Sequence, residues 1–425
     1  MSPYFLIFLA QVGTFLNLNK TNNTVKIFLD ALSRVPTVSV GTQALILGSM
    51  YIIVRRFPDV EFVMLSAAPE VEHFYLDDSP FRVRLVHRSL SQFGTIQQIR
   101  QILNEVDAVV SAWGDGYSTF PPHLIFRKTF ILKRRRIPLI LFTASIGPFE
   151  KGLRGTMARW GLSAFDRLTV RDMNTYRYIS ALGLKGVKAF PDTAFALPPS
   201  SDAQIDQVFM SECIPQDRPL IGVNVSILLQ QKMSNDTADS ISYNKLMLLL
   251  VKHLQQITDA TIILIPHQFY PEKYALTDEA MRSGRDGDDR VAVEMVRKNL
   301  ENKRNVYTVK GEYTPSEYKG LISRCQMFIG GRMHSGIASL STCVPSVIMG
   351  YSHKAGGVME MLGLSDHVWD INNSPSELMG KVTSVWQCRQ DIRNKLLANI
   401  PQVNEEAFKT GDVLAEVLST KKTRL

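Results

Sequence analysis

The sequence predicts an α/β protein of two tandem domains, each an open parallel sheet with helices packed on it. Three observations carry this expectation. The chain has 425 residues, 45% of them hydrophobic, whereas a single core stops growing at roughly 250–300 residues. Short β-branched or apolar runs alternate with longer stretches of helical periodicity, the pattern of βα units. The alternation breaks at one polar, proline-containing stretch and then restarts.

The elements follow in order. Tyr4–Leu18 is apolar and uncharged, shorter than the roughly 20 residues of a spanning helix, and lacks a basic leader. It is open between a misplaced translation start, a membrane-interface or signal-like segment, and a first strand or buried helix. Strands are expected at Val25–Leu29, Glu61–Ala67, Arg82–His87, Ala108–Trp113, Pro138–Ser145, Arg167–Arg171 and Val187–Phe190. The break runs from Leu197-Pro198-Pro199 to Pro219 and marks a domain crossover at 201–218. Strands resume at Leu220–Ser226, Thr261–Pro266, Val306–Val309, Met327–Ile329, Ser346–Met349 and His367–Asp370, with helices at Ser242–Ile257 and Val291–Leu300. Gln230–Ser240 and Arg282–Arg290 read as mobile surface loops. The expected architecture is two Rossmann-like domains, 25–200 and 219–375, with a cleft between them where ligands meet the carboxyl ends of the strands. An extension (1–24) and C-terminal helices (376–425) flank them.

The formal net charge of +8 points to anionic partners such as phosphorylated substrates, nucleotide sugars or a membrane surface. Its densest run, Lys133-Arg134-Arg135-Arg136, reads as a solvated helix end or as an anion or membrane patch. No aromatic interleaving accompanies it, so nucleic acid is not an expected partner. Cys213, Cys325, Cys343 and Cys388 form no C-x-x-C pair; buried thiols in a reducing compartment fit, and no metal site is expected. Asn-x-Ser/Thr matches at Asn19, Asn22, Asn224 and Asn372 are too common by chance to imply secretion.

The segment most suited to chemistry is Gly330-Gly331-Arg332-Met333-His334-Ser335, where an apolar strand meets a helix of small residues. Glycines admit close backbone approach, and a helix N-terminus offers N–H groups to an anion. Arg332 and His334 bring a guanidinium for carboxylate or phosphate and an imidazole that titrates near neutrality. The plain alternative is an ion pair at Arg332 and a helix cap at His334. The next strand ends in Tyr351 and Lys354, again anion-binding groups, with Glu360 on the helix after it. His267 closes another strand, as a contact or as a structural histidine. His73, His87, His123, His253, His353 and His367 read as surface or structural.

The Gly-Arg-Met-His helix opening, the Val344-Pro345 strand, Tyr351-Ser352-His353-Lys354 and Met361-Leu362-Gly363-Leu364 resemble the C-terminal signature of the polysaccharide pyruvyl transferase family. Other pieces agree in order across roughly residues 36–372. Val40-Gly41-Thr42-Gln43-Ala44 is similar to the family's early glycine loop, Ser111–Gly116 to its glycine-containing strand end, and Ser145-Ile146-Gly147-Pro148-Phe149 to its Ser-Ile-Gly-Pro turn. Arg171-Asp172 and Pro191-Asp192 also have counterparts. Each early motif alone has a structural reading; their order is the argument.

The resemblance implies a GT-B-like transferase that moves a pyruvyl group from phosphoenolpyruvate to two hydroxyls of a sugar. No cofactor is implied. His334 would act as general acid or phosphate partner and Arg332 as the donor clamp, with Gly331, Ser335, Tyr351, Lys354, Asn224 and Ser226 on the donor side. Gly41, Thr42, Asp115, Ser145, Gly147, Arg171, Asp172 and His267 would face a nucleotide-linked or lipid-linked glycan acceptor. This implies a cytoplasmic protein, with peripheral association at the inner membrane face left open. The sequence departs from the family at Asn224 and Ser226, where many members carry an arginine nearby, and at Ser39–Gln43, where Asn and an acid are usual. The first departure leaves open a nucleotide-sugar glycosyltransferase or a noncatalytic glycan-binding descendant.

Overall fold

The computed structural model describes residues 24–31, 38–77, 79–119, 121–133, 137–149, 152–233, 242–269, 287–350, 356–357, 359–360 and 362–422. Tyr4–Leu18, the arginines at 134–136, Tyr351, His353 and Lys354 lie outside the described residues.

The chain forms two compact units. Among the described residues the first contains seven strands: β1 (Lys26–Asp30), β2 (Glu61–Ser66), β3 (Arg82–His87), β4 (Ala108–Ser111), β5 (Leu139–Ala144), β6 (Arg167–Val170) and β7 (Val187–Ala189). They lie in the order β3-β2-β1-β4-β5-β6-β7 and pair in parallel throughout, as in Phe28 opposite Val63 and Val109. The second contains β8 (Leu220–Asn224), β9 (Thr261–Ile265), β10 (Val306–Thr308), β11 (Met327–Gly330), β12 (Ser346–Gly350) and β13 (Val368–Asp370), ordered β10-β9-β8-β11-β12-β13. These too are parallel. Every expected strand is present, and the protein is α/β with two parallel sheets.

The residue choice explains the sheets. Strands covered by helices on both faces need continuous apolar runs rather than alternation. β5 (LILFTA), β9 (TIILI) and β8 (LIGVN) are buried at every position. The edge strand β3, RVRLVH, is only half-buried. Helices start at side-chain caps. Ser242 accepts from the Lys245 N–H to open Tyr243–Ile257, whose buried stripe Tyr243, Leu246, Met247, Leu250, Val251 and Leu254 follows the helical repeat. Thr314 with Glu317 forms a capping box before Pro315–Ser323.

Several boundaries differ from expectation. Residues 201–218 hold the helix Asp202–Ser211, opened by a Ser201–Gln204 capping box, and the second unit already begins at Pro198. Val38–Ala44 packs with the second unit, while Val403–Lys422 packs with the first, where the helix Thr410–Lys422 contacts β5 and β6. Gln230–Met233 are helical rather than loop, within Ile227–Met233. Asp289 and Arg290 open the helix Asp289–Asn299, so the end of the expected Arg282–Arg290 loop is ordered structure. Cys325 and Cys343 are buried but Cys213 and Cys388 are exposed, all as free thiols; burial lifts the Cys325 thiol to about 12. Among the described residues no helix is long and apolar enough to cross a membrane.

Candidate active site

In an open parallel sheet the strand order reverses at one point, and the carboxyl ends of the two strands flanking it diverge to leave a crevice. In the second unit that point falls between β8 and β11. Asn224 ends β8 and Gly330 ends β11, so Arg332, His334 and Ser335 stand at the switch point, with Asn224 and Ser226 across it.

Arg332 is held by a partner the sequence reading missed. Its Nε donates to Asp289 Oδ2 at 2.8 Å and its Nη2 to Asp289 Oδ1 at 2.7 Å, the bidentate geometry that fixes a guanidinium plane. Asp289 is fully buried. It also accepts from the backbone N–H of Ile227 at 2.9 Å and of His267 at 3.0 Å. One carboxylate therefore ties the first turn of Ile227–Met233, the end of β9 and Arg332 together. The signal was available in the sequence, since an acid in the first turn of an amphipathic helix is a standard position, but the surrounding Gly, Asp and Arg residues read as loop.

His334 is half-buried in the first turn of the helix Met333–Ser341. Gly41 packs against it: a Cβ built there would meet the His334 Cβ at 2.6 Å and its Cγ and Nδ1 at 2.7 Å. Gly41 thus supports the imidazole from within the second unit. The segment around it is pinned by a Ser39–Gln268 antiparallel bridge and by the bonds Val40 N–H to His267 O, 3.2 Å, and Phe269 N–H to Val38 O, 3.1 Å. Thr42, half-buried, follows on the same helix start.

His267 lies under this site. It is 2% exposed, its ring 6.0 Å from that of Tyr318 in an edge contact, and its Nδ1 has no hydrogen-bond partner among the described residues. Burial, then the nearby positive charges of Arg332 and His334, push its pKa well below 6.5. It is a neutral, buried neighbour of Arg332 and His334 within the second unit.

The expected donor contacts Asn224, Ser226 and Ser335 are all fully buried. The Asn224 amide donates to Ile265 O at 2.9 Å and accepts from Ser335 Oγ at 3.2 Å. Ser335 Oγ also reaches Arg332 O at 2.7 Å, and the Ser226 N–H donates to Tyr243 Oη at 2.8 Å. A Cβ at Gly331 would lie 3.0 Å from Asn224 O and from Leu229 Cδ1. That glycine leaves room for the protein's own backbone and for Leu229. These residues build the floor that carries Arg332 and His334.

In the first unit the expected acceptor residues converge on one buried network. Arg171 follows β6 with a fully buried side chain. Its Nε donates to Ser145 Oγ at 2.9 Å, its Nη1 to Asp192 at 2.6 Å and its Nη2 to Asp115. Ser145 Oγ in turn donates to Asp172 at 2.9 Å, and Asp172 caps the helix Met173–Ala181 through the Thr175 N–H at 2.7 Å. Gly147, with φ +65°, packs so tightly that a Cβ would meet Tyr178 Cε1 at 2.4 Å. Of this set only Asp115 is substantially open to solvent, at 41% of its side chain. Arg171, Asp172, Ser145 and Gly147 are held by these internal contacts.

Comparisons with known proteins are consistent in kind. A family model described as polysaccharide pyruvyl transferase matches residues 41–353. The amylovoran biosynthesis protein AmsJ of Erwinia amylovora is 22% identical over 329 residues, 76% of either chain. Among solved structures, a glycosyltransferase from Rickettsia africae superposes with a TM-score of 0.58 at 10% identity, over 93% of this chain and 99% of that one. The UDP-GlcNAc 2-epimerase of Neisseria meningitidis gives 0.55 at 11% identity, over 93% and 100%. At such identities the structural likeness shows the fold alone, α/β with two parallel sheets.

Proposed function

The chain belongs to the polysaccharide pyruvyl transferase family and is a transferase, and from that premise we propose that it moves a pyruvyl group from phosphoenolpyruvate to a sugar of a glycan or glycan precursor, forming a cyclic ketal. The observation that carries the proposal is the pairing of Arg332 and His334 at the β8/β11 switch point, one locked by Asp289 and the other buttressed by Gly41.

The reaction needs a proton at the enol methylene, stabilisation of positive charge at C2, attack by two hydroxyls and departure of phosphate. One hydroxyl proton balances the new methyl group and the other leaves with the phosphate. His334 supplies or relays the methylene proton, or supports the departing phosphate. Arg332, oriented by Asp289, faces the donor carboxylate or phosphate. A preorganised guanidinium suits this task because no reorganisation is needed as charge develops. Lys354 follows β12 in sequence and is assigned to the same donor pocket. Asp115 is the solvent-open carboxylate of the Arg171 network and the acceptor contact we assign in the first unit. The acceptor is a nucleotide-linked or lipid-linked sugar.

The test is phosphate release from phosphoenolpyruvate in the presence of an acceptor panel, with His334→Ala and Arg332→Ala alongside the unaltered chain. Turnover in the unaltered chain and its loss in both variants supports the assignment. Unimpaired turnover in both removes this site from the mechanism. Binding of nucleoside diphosphates without any phosphoenolpyruvate binding replaces pyruvyl transfer with glycosyl transfer.

A further inference from the structure

We propose that one face of the first unit, formed by the helices Pro122–Leu132 and Leu153–Ser163, docks on an anionic lipid bilayer. The two helices lead into β5 and β6 and pack against each other. A Cβ at Gly161 would come within 3.0 Å of Phe126 Cα, so their backbones are in near contact and present a rigid surface.

That surface is apolar where water should meet it. Phe130 is 75% exposed, Leu153 73% and Trp160 56%. The half-buried Phe126 ring joins them, 6.3 Å from Phe130 in a stacked arrangement and 6.4 Å from Trp160. Single exposed apolar residues need no explanation, but a connected aromatic strip on a rigid scaffold marks an interaction surface. Phe126 and Phe130 are four residues apart and Leu153 and Trp160 seven apart, so each helix contributes one stripe.

Charge selects the occupant. Neither helix contains an acidic residue. Arg127, Arg154 and Arg159 are exposed on the same two helices, and among the described residues no acid pairs with Arg127 or Arg159. Two copies of this face would bring the same arginines together, which disfavours a symmetric self-contact. A bilayer with anionic headgroups satisfies both features: aromatic and leucine side chains enter the interface while arginines meet phosphate. This inference does not depend on the donor assigned above, because vesicle binding is read without turnover.

The experiment is co-sedimentation of the full-length chain with phosphatidylglycerol-containing vesicles and with pure phosphatidylcholine vesicles, at low and high salt. Binding to the anionic vesicles alone, weakened by salt, is the expected result. Each basic residue near the surface strengthens binding about fivefold, so the Arg127→Ala/Arg159→Ala pair weakens it roughly 25-fold. Phe130→Ser/Trp160→Ser lowers it at least as much, and both pairs keep the unaltered chain's circular dichroism spectrum and urea midpoint. Equal binding to both vesicle types, or anionic binding unchanged in both double variants, overturns the proposal. So does a dimer in solution that Phe130→Ser/Trp160→Ser converts to monomer.

Discussion

Gly41→Ala separates catalytic geometry from folding. The new methyl group would stand 2.6 Å from His334 Cβ and 2.7 Å from Cγ and Nδ1, whereas carbon atoms rest at about 3.6 Å. About 1 Å must be found. His334 Cβ is fixed to the helix Met333–Ser341, so a side-chain rotation cannot supply the space, and either that helix opening or the Val38–Ala44 segment has to move. A misplacement of about 1 Å in a catalytic group costs on the order of 100-fold, or about 2.7 kcal/mol of barrier. Gly41 lies in the helix Val40–Arg56, where alanine is favoured over glycine by up to about 1 kcal/mol, so the helix itself does not suffer. Phosphate release from phosphoenolpyruvate should fall roughly 100-fold while the urea midpoint stays within a few tenths of molar. Activity within threefold of the unaltered chain, alongside an inactive His334→Ala, would refute the buttress. A collapsed urea midpoint would show instead that residue 41 is needed for folding.

Three further outcomes follow from the buried charges. Asp289→Asn removes the anionic partner of a guanidinium whose side chain is only 11% exposed; breaking such a pair costs about 3–5 kcal/mol, read as a lowered urea midpoint together with a raised KM for the donor. In the first unit Asp192→Asn, with both partners fully buried, should cost about 3–5 kcal/mol. Asp115→Ala at the open end of the same arginine should cost about 1 kcal/mol or less, so equal losses would count against the network as described. For His267 the folded pKa lies well below 6.5, so its contribution to stability is complete above about pH 6.5 and is lost as pH falls toward the folded value. Urea unfolding at pH 7.5 and 5.5 should show a smaller acid loss in His267→Gln than in the unaltered chain, and identical losses would exclude His267 as the source.

The sequence by itself determined the architecture. Continuous apolar strands such as Thr261–Ile265, alternating with capped amphipathic helices such as Tyr243–Ile257, are local signals. A parallel sheet buried on both faces demands them, and every expected strand is present among the described residues. The motif order also determined the family and placed Arg332 and His334 at a strand end. Partnership was decided only by the tertiary structure. Asp289 lies 43 residues from Arg332, and nothing in the spacing ties an acid inside a Gly-Asp-Arg stretch to one guanidinium. Gly41 lies far from His334 in sequence, and a glycine's value there is the absence of a Cβ, a property visible only once the neighbour is placed. The same holds for Arg171, whose partners Asp192, Asp115 and Ser145 come from three separate stretches of the chain. Residue type announces what a group can do; burial and neighbours, set by contacts distant in sequence, decide whether that capacity is spent inside the protein or left for a substrate.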